Sequence, residues 1–118
     1  MTISRVLVVL AALTLSGCNS PARWAEKIDL HARCGMSVED VERLTSHSVE
    51  TVVPPRGWAT HVIRVDQTEV WLGFSDGRLQ WLQVAWAIQM QRMATYQKVD
   101  LCGLAAGDPF ARQPLPQD

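Results

Sequence analysis

The side chains of this chain that could do chemistry are its three cysteines, its three histidines and a hydroxyl-rich run around one of those histidines. His31 and Cys34 stand three residues apart, a spacing that can turn an imidazole and a thiolate toward one metal ion. His47 and His61 would complete such a set only if folding delivered them, because the chain has no Cys-x-x-Cys and no His-x-x-x-His pair. Thr45-Ser46-His47-Ser48 sets hydroxyls beside an imidazole, the parts of a nucleophile–base pair. Neighbouring side chains point apart, however, so a polar loop ending a helix suits this run better than a dyad. No sequence neighbour activates Cys34 or Cys102 as a nucleophile. The chain also lacks Gly-x-Ser-x-Gly, His-Glu-x-x-His and a phosphate-cradling glycine loop. The expectation is therefore no enzyme, no metal, no cofactor and no small-molecule substrate.

Cys18 belongs to a different pattern. Arg5 precedes an apolar run, Val6 to Leu15, that is too short to span a bilayer, which needs about 20 residues. The run ends in Leu15-Ser16-Gly17-Cys18, which resembles the lipobox of bacterial lipoproteins. The alternative is an ordinary secretory signal with an accidental cysteine. The resemblance implies removal of residues 1–17, diacylglycerol on Cys18 and a further acyl chain on its new amino terminus. Two or three chains hold a protein on a membrane stably where one does not. Asn19, where an Asp would retain an enteric-type lipoprotein at the inner membrane, favours the outer membrane and a periplasm-facing domain.

Lipidation also resolves the odd cysteine count. It leaves Cys34 and Cys102, an even pair in an oxidising compartment, and the economical expectation is one disulfide between them.

The rest of the chain must position these groups. A net charge of -1 argues against a nucleic-acid partner, which calls for a basic surplus. Apolar residues make up 47% and charged ones 19%, too apolar a mixture for a disordered chain. Residues 18–23 form a lipidated tether. Trp24 to His31 has helical spacing, with Trp24, Ile28 and His31 on one face, where His31 is better explained by packing than by ligation. Ser37 and Asp40 have the spacing of a helix-capping pair, and Met36 with Val41 that of a hydrophobic staple, predicting a helix over 38–46. Glu39, Asp40 and Glu42 then favour the helix dipole on a solvated face rather than forming a catalytic carboxylate pair.

Strand patterns follow at 49–53, stopped by Pro54-Pro55, and at 58–65, with His61, Ile63 and Val65 facing inward. Segments 68–75 and 78–85 flank Asp76-Gly77, a strong hairpin signal. Counting from that turn pairs Leu72 with Trp81, Val70 with Gln83, and Trp71 with Leu82. The Trp71–Leu82 pair is too apolar for a plain solvent face; either the C-terminal segment covers it or it is a partner contact. Residues 86–99 alternate like a strand at Trp86, Ile88 and Met90, yet Ala, Gln, Met and Arg favour a helix, which is the expectation here. Residues 24–104 would make one domain, and 105–118, with three prolines, a flexible tail.

The fold expected is α+β: one or two short N-terminal helices packed on a small three-stranded antiparallel sheet, followed by a C-terminal helix. Gly35-Met36-Ser37-Val38-Glu39-Asp40-Val41 and Val70-Trp71-Leu72-Gly73-Phe74-Ser75-Asp76-Gly77-Arg78-Leu79, behind a lipobox, resemble motifs of the SmpA/OmlA lipoprotein family. That family includes a small accessory lipoprotein of the outer-membrane β-barrel assembly machine. The likeness spans roughly residues 33–83, while the two cysteines and the segment after Trp86 depart from it. It implies a scaffold or accessory subunit of an envelope complex, with an envelope protein as partner. The alternative is a periplasmic protein-binding or inhibitor module, similar in architecture to β-lactamase inhibitor domains, with Trp71 and Leu82 as anchors on an open sheet.

Overall fold

In the computed structural model, the described residues are 20–89, 92–103, 112 and 114. Residues 1–17, expected to be an export leader, Cys18 and most of the 105–118 segment lie outside them.

Helix α1 (Arg23–His31) buries Ala25 and Ile28, and α2 (Val38–Thr45) buries Val41 and Thr45. The start of α2 is fixed locally. The Ser37 hydroxyl accepts from the Asp40 N–H and the Asp40 carboxylate accepts from the Ser37 N–H, each at 3.1 Å. The Ser37 N–H bond is the main reason the Asp40 carboxyl sits below its usual range. Ser37→Ala should lower stability by about 1 kcal/mol, read as a shifted urea midpoint, with Ser37→Thr close to wild type.

The expected fold class is wrong. The described residues form six strands: β1 (Glu50–Arg56), β2 (Ala59–Val65), β3 (Thr68–Ser75), β4 (Arg78–Gln89), β5 (Arg92–Thr95) and β6 (Val99–Asp100). They form one antiparallel sheet in the order β1-β2-β3-β4-β5, with β6 also paired to β4. Among the described residues the chain is β-rich with two short helices, not helices on a three-stranded sheet with a helix at the end.

Two features produce the difference. Instead of turning into a helix after Ala85, β4 continues to Gln89 and pairs with β5, Trp86 lying opposite Ala94 and Ala87 opposite Met93. Trp86 is buried and stacks edge-on to Tyr96 at 4.8 Å, so tertiary burial overrides the helical preference of Ala, Gln and Met. At the other end, β1 runs through Pro54 and Pro55. An edge strand tolerates prolines because its outer N–H groups have no ladder partner to lose.

The hairpin turn forms as expected, with Asp76 and Gly77 both at positive φ, 53° and 74°. Register does not follow from it. Phe74 pairs with Leu79, but Gly73 pairs with Trp81, leaving Gln80 as an extra residue on β4. This bulge lets Leu79 and Leu82, three residues apart, both be fully buried. Leu72 therefore faces Leu82, Val70 faces Val84 and Thr68 faces Trp86. Ile63, Val70, Leu72, Leu79, Leu82, Val84 and Trp86 make the core with Ala25 and Ile28 of α1, which lies across β3 and β4.

Cys34 and Cys102 are joined in a disulfide, their Cα atoms 4.8 Å apart across a sequence separation of 68. Leu79 sits between the two segments. It accepts from the Gly35 N–H (2.9 Å) and donates to the Met36 carbonyl (2.8 Å), and Leu101 is buried just before Cys102. Of the C-terminal segment, Arg112 donates to the Ala32 carbonyl at 3.2 Å, where α1 ends, and Pro114 bridges Cys34. A guanidinium suits the negative end of the helix dipole.

Candidate functional site

The helices cover one face of the sheet. Cross-strand register assigns Val62, Trp71 and Gln83 to the other face, together with Gly73, Trp81, Glu69 and Ala85. Val62 and Ala85 form a nearly buried floor under half-buried indoles. The bulge corrects the expected anchor pair: Trp71 lies opposite Gln83, and Leu82 is a fully buried core residue on the helix side. Leu82 is thus unavailable to a partner; its expected place opposite Trp71 is taken by Gln83, and Trp81 joins the same face opposite Gly73.

Trp71 is the better organised of two aromatic centres. Its indole N–H donates to one Glu69 carboxylate oxygen at 3.1 Å, and the Arg64 Nε donates to the other at 2.8 Å. The guanidinium carbons of Arg56 and Arg64 stand 5.7 and 6.0 Å from the Trp71 ring centroid. Glu69 therefore orients the indole and neutralises one arginine, while Arg56 remains a cation on the aromatic rim. Such contacts contribute about 0.5–1 kcal/mol when exposed, and more once a partner removes water.

The second centre is Trp58 and Trp81, with the Lys98 ammonium 5.2 and 4.5 Å from their ring centroids. Gly57, at φ +59, turns the chain between β1 and β2 so that Trp58 folds back over Gly73. Lys98 arrives just before β6, which pairs with β4 at Trp81 and Leu82. Sequence reasoning put Gly73 on this face but Trp81 on the helix-packing one, and it missed Lys98. An Asp-Gly turn announces a hairpin but not a bulge three residues beyond it, and nothing local assigns Lys98 to an aromatic neighbour.

The residues considered for chemistry end up apart. His31 is exposed at the end of α1. His47 stacks on Trp24 at 5.1 Å. His61 stacks on Phe74 at 4.7 Å and bonds the Thr60 hydroxyl through Nδ1, and burial pushes its pKa down. Among the described residues, no group of three or more His, Cys, Asp or Glu is placed to hold a metal ion. Thr45 bonds back to the Val41 carbonyl at 2.9 Å and Ser46 ends α2 in the left-handed conformation, which makes 45–48 a helix-terminating loop. Glu39 and Asp40 lie in the first turn of α2.

At the end of α1, Arg112 donates to backbone carbonyls near Asp29, whose Oδ1 is buried without a hydrogen-bond partner. Burial raises the Asp29 pKa against the opposing pull of Arg112, and burial lowers that of Arg112. No helix among the described residues is long and apolar enough to cross a membrane. Comparison of the chain with protein-family models, with curated proteins and with solved structures finds no match.

Proposed function

We propose that this protein is a periplasm-facing lipoprotein, held at the outer membrane by acyl chains on Cys18, whose helix-free sheet face docks an envelope protein. The role is that of a scaffold or accessory subunit, not of a catalyst. One observation carries the reading: Trp58, Trp71 and Trp81, all half-buried, share the face that the two described helices leave free, rimmed by Arg56, Arg64 and Lys98. Trp and Arg dominate binding hot spots because they combine large contact area with directional polar groups. Glu69 holds the Trp71 indole before any partner arrives, which reduces the ordering cost of association. The leader and lipobox support the location.

The test is photocrosslinking in cells, with a benzophenone side chain placed at Arg64 on this face or at Glu39 on α2. A discrete adduct with one envelope protein is expected from position 64, absent from position 39 and lost on Trp71→Ala. Stability measured alongside separates binding from folding. Trp71→Ala should cost less than Leu82→Ala, for which core truncation predicts about 2–5 kcal/mol. Equal adducts from both positions, or an adduct at 64 that survives Trp71→Ala, would overturn the proposal.

A further inference from the structure

We infer that the β2–β3 end of the sheet rests on a phospholipid surface, with Arg23 and Arg92 against lipid phosphates; this builds on the reading of Cys18 as acylated. Asn19, Ser20 and Pro21 alone separate Cys18 from Ala22. The fold already holds Ala22. Its N–H donates to the Thr68 hydroxyl at 3.4 Å, its carbonyl accepts from Ala25 at 3.0 Å, and Pro21 is buried. The intervening chain spans at most about 14 Å, against about 5–8 Å for one headgroup layer. An acylated Cys18 therefore leaves little room between lipid and Thr68.

The register of the sheet identifies what else lies at that end. Thr68 pairs with Trp86, and the Ala87 N–H donates to the Gln67 carbonyl at 2.9 Å. From there β4 continues past the β2–β3 turn to Gln89, which pairs with Arg92. The described ends of β4 and β5, Gln89 and Arg92, thus lie beyond Gln67 on the tethered side. Arg23, Asp66, Gln67, Arg92 and Met93 are exposed there, two cations and one anion with a thioether 49% exposed. Cations near an anionic bilayer contribute favourably, and Met is a side chain adaptable enough for a disordered interface. The opposite end, with the Gly57-Trp58 and Asp76-Gly77 turns, is set back by the length of β3, about 25 Å. Trp58, Trp81 and Lys98 then stand clear of the lipid, where a periplasmic partner can reach them.

The experiment uses the full-length lipoprotein, processed in cells and reconstituted in vesicles of phosphatidylethanolamine with phosphatidylglycerol. A benzophenone side chain at Gln67 should form phospholipid adducts with about tenfold the yield of one at Asp76, because a short tether fixes local concentration. A Gly/Ser spacer of about 15 residues after Asn19 should abolish that difference. Arg23→Glu with Arg92→Glu should cut the yield at 67 by about tenfold while the protein stays anchored. Acylated protein that labels equally at 67 and 76 would overturn the orientation alone. An amino-terminal peptide whose mass shows no acyl chains on Cys18 would overturn the anchor and the orientation together.

Discussion

Reducing the Cys34–Cys102 disulfide is expected to lower the unfolding free energy by about 4 kcal/mol, the chain-entropy value for a loop of this length. For a domain this small, that is a large part of a total of roughly 5–15 kcal/mol. The location makes the effect more than a matter of unfolded-chain entropy. The disulfide holds the linker between α1 and α2 to the end of β6, and both segments bond the β4 strand beside it. Gly35 and Met36 pair with Leu79, and the Leu101 N–H donates to the carbonyl of Gln80, the bulged residue. Opening the bond releases buried Leu101 and its hydrogen bond to the bulged Gln80 at once. Urea titration with and without reductant is the measurement. The midpoint should fall and the slope m should rise, because a chain without its crosslink exposes more surface when unfolded. Cys34→Ser with Cys102→Ser should reproduce the reduced protein; an unchanged midpoint would show that the disulfide constrains nothing.

The same bulge marks where sequence reasoning stopped. Helix α2 was legible because its signal is local: Ser37 and Asp40 satisfy each other's backbone N–H groups within one turn. The Asp76-Gly77 turn was legible for a similar reason, since both positions need positive φ and these residue types tolerate it. The alternation of 61–65 also identified an inward face that the core contains. Long-range pairing was not legible. Whether Trp86 begins a helix or extends a strand depends on Tyr96 and Ala94 being opposite it, and no spacing within 86–99 encodes that partner. The insertion at Gln80 has no local signature either, yet it decides whether Trp81 or Leu82 joins Trp71. A candidate face was therefore inferable from Trp71, while half its membership was not.

Gly73→Ala should be destabilising by about 1–3 kcal/mol, the usual range for overpacking. The sign is not obvious, because replacing Gly in a strand ordinarily stabilises by about 0.4–1 kcal/mol through the unfolded chain. Space decides it. A Cβ built on Gly73 comes within 2.8 Å of the Trp58 carbonyl oxygen, 3.1 Å of Trp58 Cε3 and 3.3 Å of Trp81 Cβ. The ring could tilt away, but the carbonyl belongs to the tight β1–β2 connection, where Arg56 pairs with Ala59 across Gly57 and Trp58. Moving that oxygen therefore means moving the hairpin. Near-UV circular dichroism should weaken as Trp58 leaves Trp81 and Lys98, alongside a lower urea midpoint. A cycle with Trp58→Ala separates the two contacts. Removing the ring relieves the approach to Cε3 but leaves the carbonyl in place, so the double variant should recover only part of the loss. Full recovery would assign the constraint to the indole, and a stabilised Gly73→Ala would mean that the two strands can part at no cost. In either case the Trp58–Trp81 centre would be held by its side chains, not by the backbone contact that Gly73 permits.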